Sequence, residues 1–397
     1  MSTLAPELMD LILSHLHPLS TTPGKSDHVL DKEAAHNVGK CALLCKAWMP
    51  RSRRILFYRL SIRKGTAHRL ARLFRKPERL TFLPFIRVLE LCGGLVQDRW
   101  MVTVFPKISK YLPPSITTLL LRYDFYNSSF VKAFPQLDVR GLTHLQIDGL
   151  KTPDMGDVVQ FVASLPVLLS LQLWPRSEDW SDTPLVESVA SLRAPATMQH
   201  LDFTYSELTP FLEWIQASDI PLSSLRIHHM AMQSRWPQPS ESIQAPEFQS
   251  ALRLIESLAP SLTSLSLTLD SYYTAIPVDD SFLRSHTILK ELSIHAASVQ
   301  TEALFHTRFP PSLESLRLKI PYYSRNAGWF GPLRLPAWSS LDSRLASAAS
   351  LRRLHIEHEG AVAEVPLEFD EICAGMEGIL PLCAARGILT QSVVPRS

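Results

Sequence analysis

LTHLQI, residues 142–147, is one of ten copies of a single template, apolar-x-x-apolar-x-apolar. The others are IRVLEL (86–91), ITTLLL (116–121), LLSLQL (168–173), MQHLDF (198–203), LSSLRI (222–227), LTSLSL (262–267), LKELSI (289–294), LESLRL (313–318) and LRRLHI (351–356). Successive starts lie 30, 26, 26, 30, 24, 40, 27, 24 and 38 residues apart. The last two apolar positions are two apart, the period of a strand with one face buried. Recurrence at this interval predicts one short strand per unit, each unit closing its core only against the next.

Between the strands lie stretches of helical character. TPDMGDVVQFVASLP (152–166) and PEFQSALRLIESLAP (246–260) both begin with Pro and acidic residues and end at Pro, a common way to start and stop a helix. The chain is therefore expected to be α/β. The template resembles the leucine-rich repeat, which implies an irregular solenoid over 85–365 with a concave parallel sheet and outer helices. The family's Asn, three residues past the last strand leucine, is absent. Gly94, Asp124, Leu150, Arg176, Ser206, Met230, Asp270, Ala297, Pro321 and Glu359 stand there instead. The turns must find other hydrogen-bond partners. Residues 366–397, including FDEICAGMEGILPLCAARGILTQSVV (369–394), are expected to form a helix and strand capping the open end.

Composition is that of a globular chain, with 46% hydrophobic and 20% charged residues and a net charge of +2. Five scattered cysteines fit a reducing compartment better than a disulfide framework. No run approaches the ~18 apolar residues of a membrane helix, and Glu7 and Asp10 stand where a secretory leader would carry Lys or Arg. These features predict a soluble chain of the cytoplasm, the nucleus or both.

At the N-terminus, Leu8, Met9, Leu11, Ile12, Leu13 and Leu16 cover roughly 200° of a helix, about twice the stripe a surface helix buries. Further on, Leu30, Ala34, Val38, Cys41, Cys45 and Trp48 recur at spacings of 4, 4, 3, 4 and 3, which places both thiols on an apolar stripe. A zinc site would need two more ligands and a redox pair would need CxxC, so these cysteines read as core. Some 55 residues cannot hide so much apolar surface alone, and a partner polypeptide is expected.

LAPELMDLILSHL followed by CALLCKAW resembles the F-box, with matched positions at Leu4, Pro6, Glu7, Leu8, Ile12, Leu13, Leu16, Leu44, Cys45 and Trp48. The likeness covers about residues 4–60. It departs in Ala5, where the family has proline, and in a longer loop between the halves. The pairing with leucine-rich repeats is similar to that in the large F-box families of mushroom-forming fungi. The resemblance implies an F-box at 1–60 that docks on the Skp-family adaptor of an SCF-type cullin–RING ubiquitin ligase. It also implies a client protein held on the repeats.

Residues 61–84 are expected to be a basic helical linker. From Arg51 to Arg79 there are eleven Lys or Arg and one acid, Glu78. That is +10 locally, against +2 for the whole chain, so the remainder carries −8. Nucleic-acid binding is one reading of this run. The interleaved Leu56, Phe57, Leu60, Ile62, Leu70, Leu73 and Phe74 favour an amphipathic element with a solvated or partner-facing basic surface.

In the repeats, residues alternating with the leucines face away from the core. This nominates Asp148, Trp174, Asp202, Arg226 and His228 as client contacts, alongside His144, Gln146, Gln172, His200 and Thr204. Tyr322 and Trp329 in PYYSRNAGWFGPLRLPAW (321–338) are nominated from the aromatic loops, together with Trp338. The same residues suit a merely solvated sheet face, or loops that cap the core. GxxxxGK[ST], GxGxxG, HExxH and GxSxG are all missing from the sequence. The reading is therefore a non-catalytic recognition subunit with neither metal nor cofactor; the alternative is a repeat scaffold without ligase association.

Overall fold

A computed structural model describes residues 36–41, 48–93, 100–122, 140–148, 155–174, 185–205, 209–229, 246–269, 283–296, 309–321, 336–360 and 376–395. The chain divides into two compact units, Met1–Leu169 and Ser170–Arg396, with Ser397 grouped with the first.

The first unit carries β1 (Arg59–Arg63), β2 (Val88–Cys92), β3 (Thr118–Arg122) and β4 (His144–Asp148), each parallel to its sequence neighbour. The second carries β5 (Ser170–Trp174), β6 (His200–Tyr205), β7 (Ser224–His229) and β8 (Ser264–Leu269), then β9 (Glu291–Ala296), β10 (Ser315–Pro321), β11 (Arg353–Gly360) and β12 (Leu389–Pro395). These too pair in sequence order and in parallel. Parallel neighbours joined by helical crossovers make a solenoid-like α/β stack within each unit.

Every copy of the template lies on a strand, but each strand starts at the template's third residue and runs one to four residues past its end. LTHLQI (142–147), for example, becomes His144–Asp148. The first two residues do something else. In eight of the templates the second residue donates its N–H to the carbonyl of the second residue of the preceding template. In the first unit Thr117 donates to Arg87, Thr143 to Thr117 and Leu169 to Thr143; in the second Ser223 donates to Gln199 and Thr263 to Ser223. Lys290, Glu314 and Arg352 continue the line.

Hydroxyls at that position double the link. Thr143 Oγ1 reaches Thr117 O at 3.1 Å, Ser223 Oγ reaches Gln199 O at 3.2 Å, and Thr263 Oγ1 reaches Ser223 O at 2.8 Å. A hydroxyl seam ahead of the strands thus satisfies backbone carbonyls in a chain that lacks an asparagine ladder behind them.

The template leucines form the core. Leu89, Leu119, Leu171, Leu316 and Leu354 are fully buried, as is Phe203. The helices Met155–Ala163 and Pro246–Ser257 fall inside the two stretches expected to be helical. Pro246–Ser257 packs beside Thr209–Ala217. Buried His286 brings Nε2 to 3.0 Å from Ile255 O near that helix's end, and burial holds the imidazole below its ordinary pKa.

Two strands flank the ten, the C-terminal one inside the stretch expected to supply a capping helix and strand. Arg59–Arg63 pairs with β2 as a strand, where the sequence suggested the end of the F-box and the start of a helical linker. Beyond it Lys64–Leu73 is α-helical, followed by the short 3-10 turns Pro77–Arg79 and Leu83–Phe85. At the other end β12 follows Pro381–Ala385 and Gly387, whose φ of 68° lies in the left-handed region that glycine enters without strain.

Asp342, on the helix Pro336–Ser347, accepts the N–H groups of Leu382 and Cys383, both at 2.9 Å. It thereby supplies acceptors to the first turn of Pro381–Ala385. The guanidinium of Arg386 donates to Leu345, Ala346, Ala348 and Leu351 carbonyls at the other helix's end. Burial, with Asp342 beside it, pushes the Cys383 thiol up to about 12, so that sulfur is packing and not a nucleophile.

Of the two readings of the loop aromatics, Trp338 follows the core-capping one. It lies in the first turn of Pro336–Ser347 and is 4% exposed, so it belongs to the core and not to an aromatic rim.

Candidate recognition surface

Strand alternation turns every second side chain away from the leucine core. In the second unit this brings Trp174, Asp202 and Arg226 together from three consecutive strands. The Trp174 indole N–H donates to Asp202 Oδ1 at 3.3 Å, and Arg226 Nη1 stands 3.5 Å from Asp202 Oδ2. Asp202 is 7% exposed, yet the side chain of Arg226 is 57% exposed. The buried carboxylate therefore holds the indole edge and one side of a guanidinium that keeps donors facing solvent. Such a fork suits a carboxylate or an amide on a partner.

Further along the same unit, Arg317 Nε lies 3.3 Å from Glu357 Oε1. His355 brings Nδ1 to 2.9 Å from Thr390 Oγ1 and Nε2 to 3.0 Å from Ser392 Oγ. Glu357 approaches that same Nε2, at 3.6 Å. Burial holds the His355 imidazole below its ordinary value.

In the first unit the sequence missed a buried ion cluster on the corresponding face. Glu90, 4% exposed, accepts from Arg59 through Nη2 at 2.6 Å and Nε at 3.2 Å, a two-point grip. Arg122 Nε lies 3.2 Å from the same carboxylate. Burial alone would raise the Glu90 carboxyl, but the Arg59 bond and charge, Ser61 and Arg122 outweigh it and hold it below 4.5. Burial, with Glu90 nearby, raises the Cys92 thiol. The signal was present in the spacing: Arg at both ends of RLSIR, Glu at the centre of VLELC and Arg ending TLLLR come into adjacent rows once the strands are aligned.

The other nominated residues are distributed as follows. Asp148 ends β4, half-buried and in register with Arg122. His228 lies on β7 in register with Thr204. Gln146 and Thr204 are buried, whereas His144 and His200 are exposed. Tyr322 and Trp329 lie outside the described residues, as do Leu4, Pro6, Glu7, Leu8, Ile12, Leu13, Leu16, Leu44 and Cys45.

Of the adaptor positions Trp48 is described: half-buried, with its carbonyl accepting Ser52 N–H at the start of Met49–Leu56. Val38, on the helical residues 36–41, is fully buried and Cys41 half-buried. Met49 and Phe57 expose 37% and 36% of their surface beside Trp48 and at the far end of that helix.

Among the described residues no helix is long and apolar enough to cross a membrane, and no three His, Cys, Asp or Glu side chains gather as a metal site. No protein-family model matches the chain, and no curated protein matches it.

Proposed function

We propose that this chain is the substrate-receptor subunit of an SCF-type cullin–RING ubiquitin ligase. In this reading the N-terminal helices dock on a Skp-family adaptor, and the repeat units hold a client protein. The observation that carries it is the order of two patterns in one chain. LAPELMDLILSHL and CALLCKAW, with more apolar helical surface than their length can bury, are followed by a sequential parallel stack. The partly exposed Met49 next to Trp48 adds support, since an apolar side chain left open there suits coverage by a second polypeptide.

The chain would supply proximity. Holding a client beside the ubiquitin-conjugating machinery converts a bimolecular transfer into an effectively intramolecular one. The polar fork at Trp174, Asp202 and Arg226 is the part of the sheet face best suited to the client. Such a ligase would operate in the cytoplasm or nucleus.

A second reading, a repeat scaffold without ligase association, is favoured by that same fork, which is complete without any F-box. Affinity purification of the full chain followed by mass spectrometry separates the two. The receptor reading expects a Skp-type adaptor in the wild-type eluate and its loss from the Leu8→Ala, Trp48→Ala double variant, with circular dichroism unchanged. An adaptor retained by the double variant, or never recovered with wild type, counts against the ligase. Clients recovered without an adaptor would support the scaffold.

A further inference from the structure

The helix Lys64–Leu73 buries Ala67 and packs on β1 and on the helix Phe105–Ser109. Phe74, one residue past its end, is fully buried too. At 100° per residue Ala67 and Phe74 lie about 20° apart, which fixes the inward side. The outward side gathers Lys64, His68 and Arg72 in one i, i+4, i+8 line and Gly65, Arg69 and Leu73 in the next, all exposed. Arg63 before the helix and Arg75 and Lys76 after it are exposed as well.

The part of this surface formed by Arg69, Arg72, Arg75 and Lys76 has no acid within its own stretch of sequence. From Arg51 to Pro77 the sequence contains no Asp or Glu. Among the described residues Arg69, Arg72, Arg75 and Lys76 have no acidic side chain within ion-pair distance. Arg69 and Arg72, three apart on the helix, set like charges side by side with no acid between them in sequence. Nothing lies within 4 Å of a Cβ built at Gly65, so the chain's own packing does not demand glycine on that face.

Leu73, 54% exposed among these cations, narrows the partner. Single-stranded nucleic acid is gripped by cations together with aromatic stacking platforms, and the one ring on this face is the His68 imidazole, with no exposed Phe, Tyr or Trp from Arg63 to Lys76. A helix lying in a membrane interface needs a broad apolar face, and here one side chain is apolar. Steps of four residues rise about 6 Å along the helix, close to the roughly 7 Å between alternate side chains of an extended peptide.

We propose that the exposed face of Lys64–Leu73, extended by Arg75 and Lys76, docks an acidic peptide segment of a partner protein. Carboxylates lie along the cation line, and an apolar side chain rests on Leu73. Arginine supplies planar two-point grips for carboxylates. The site stands independently of the ligase reading.

The test is fluorescence anisotropy on the full chain with a labelled peptide of alternating Glu and Leu. An all-Glu peptide, an oligo-dT strand and phosphatidylserine-containing vesicles serve as competitors. Saturable binding of the Glu-Leu peptide is expected to weaken with salt. It should fall about tenfold or more in Arg69→Glu, Arg72→Glu and measurably in Leu73→Ser, and be unchanged in Arg352→Glu, a reversal at an exposed arginine of the second unit. Thermal melts should match wild type in every variant. No peptide binding at low salt, equal loss in Arg352→Glu, or displacement by oligo-dT or vesicles at lower concentration than by acidic peptide would each overturn the proposal.

Discussion

Glu90→Ala should destabilise the protein by about 3–5 kcal/mol, the cost of stranding buried charge. The side chains of Arg59 and Glu90 are each 5% exposed and that of Arg122 is 15% exposed. Removing the carboxylate leaves two guanidinium groups without their anion in a site that water barely enters. Replacing all three residues with leucine should restore most of the loss, because desolvating the ions offsets much of their attraction in the native protein.

Acid should act in the same direction. Glu90's carboxyl is held below 4.5 in the folded chain, so its ionised form stabilises fully above that value. The contribution fades as pH falls through the lower folded one. Glu90→Ala should lack this part of the acid sensitivity. Urea titration at neutral and acidic pH measures both effects. A loss under about 1 kcal/mol at neutral pH would mean that the cluster contributes little beyond a surface ion pair.

Phe203→Ala should cost a similar amount, about 3–5 kcal/mol, by opening a cavity where an aromatic ring is fully enclosed. Phe203 occupies the template's last position, where the other copies carry Leu or Ile, and it is 0% exposed between the registered strands β5 and β7. Val186→Ala, at a residue 70% exposed, should stay within about 0.5 kcal/mol. The urea midpoints of the two variants provide the comparison. Similar midpoints would show that the template's last position is not a core position.

The repeats were legible because their signal is local: two apolar residues two apart define a strand face whatever the rest of the chain does. The starts were displaced by two residues because apolarity does not distinguish a strand residue from the stitching position before it. Thr143 and Thr263 serve in that seam through hydroxyls that a hydrophobic pattern ignores.

β1 was hidden by its own charge. Arg59 and Arg63 make RLSIR look like part of a basic helix, and its role as a strand depends on Val88–Cys92, a neighbour about 30 residues away. β12 escaped the template because Gln391, partly buried, takes the position aligned with Ile356. The stretch 321–338 reads as one loop by its aromatics, whereas Pro336 opens a helix that carries Trp338 into the core.

On the recognition face, Trp174, Asp202 and Arg226 could be nominated by alternation alone. Their mutual bonds required the register. The Arg59–Glu90–Arg122 cluster required it even more, since its members lie on three strands and each looks like an ordinary solvated residue in isolation.

The central claim, a proposal from the sequence, is that the apolar residues of the stretch 8–16 are covered by another polypeptide. Amide hydrogen exchange over residues 8–16, in the purified full chain with and without a purified Skp-family adaptor, tests it most directly. The account predicts fast to intermediate exchange in the free chain and strong protection on adding adaptor, with Leu8→Ala, Trp48→Ala abolishing the change. Full protection in the free chain, unaltered by adaptor, would contradict it.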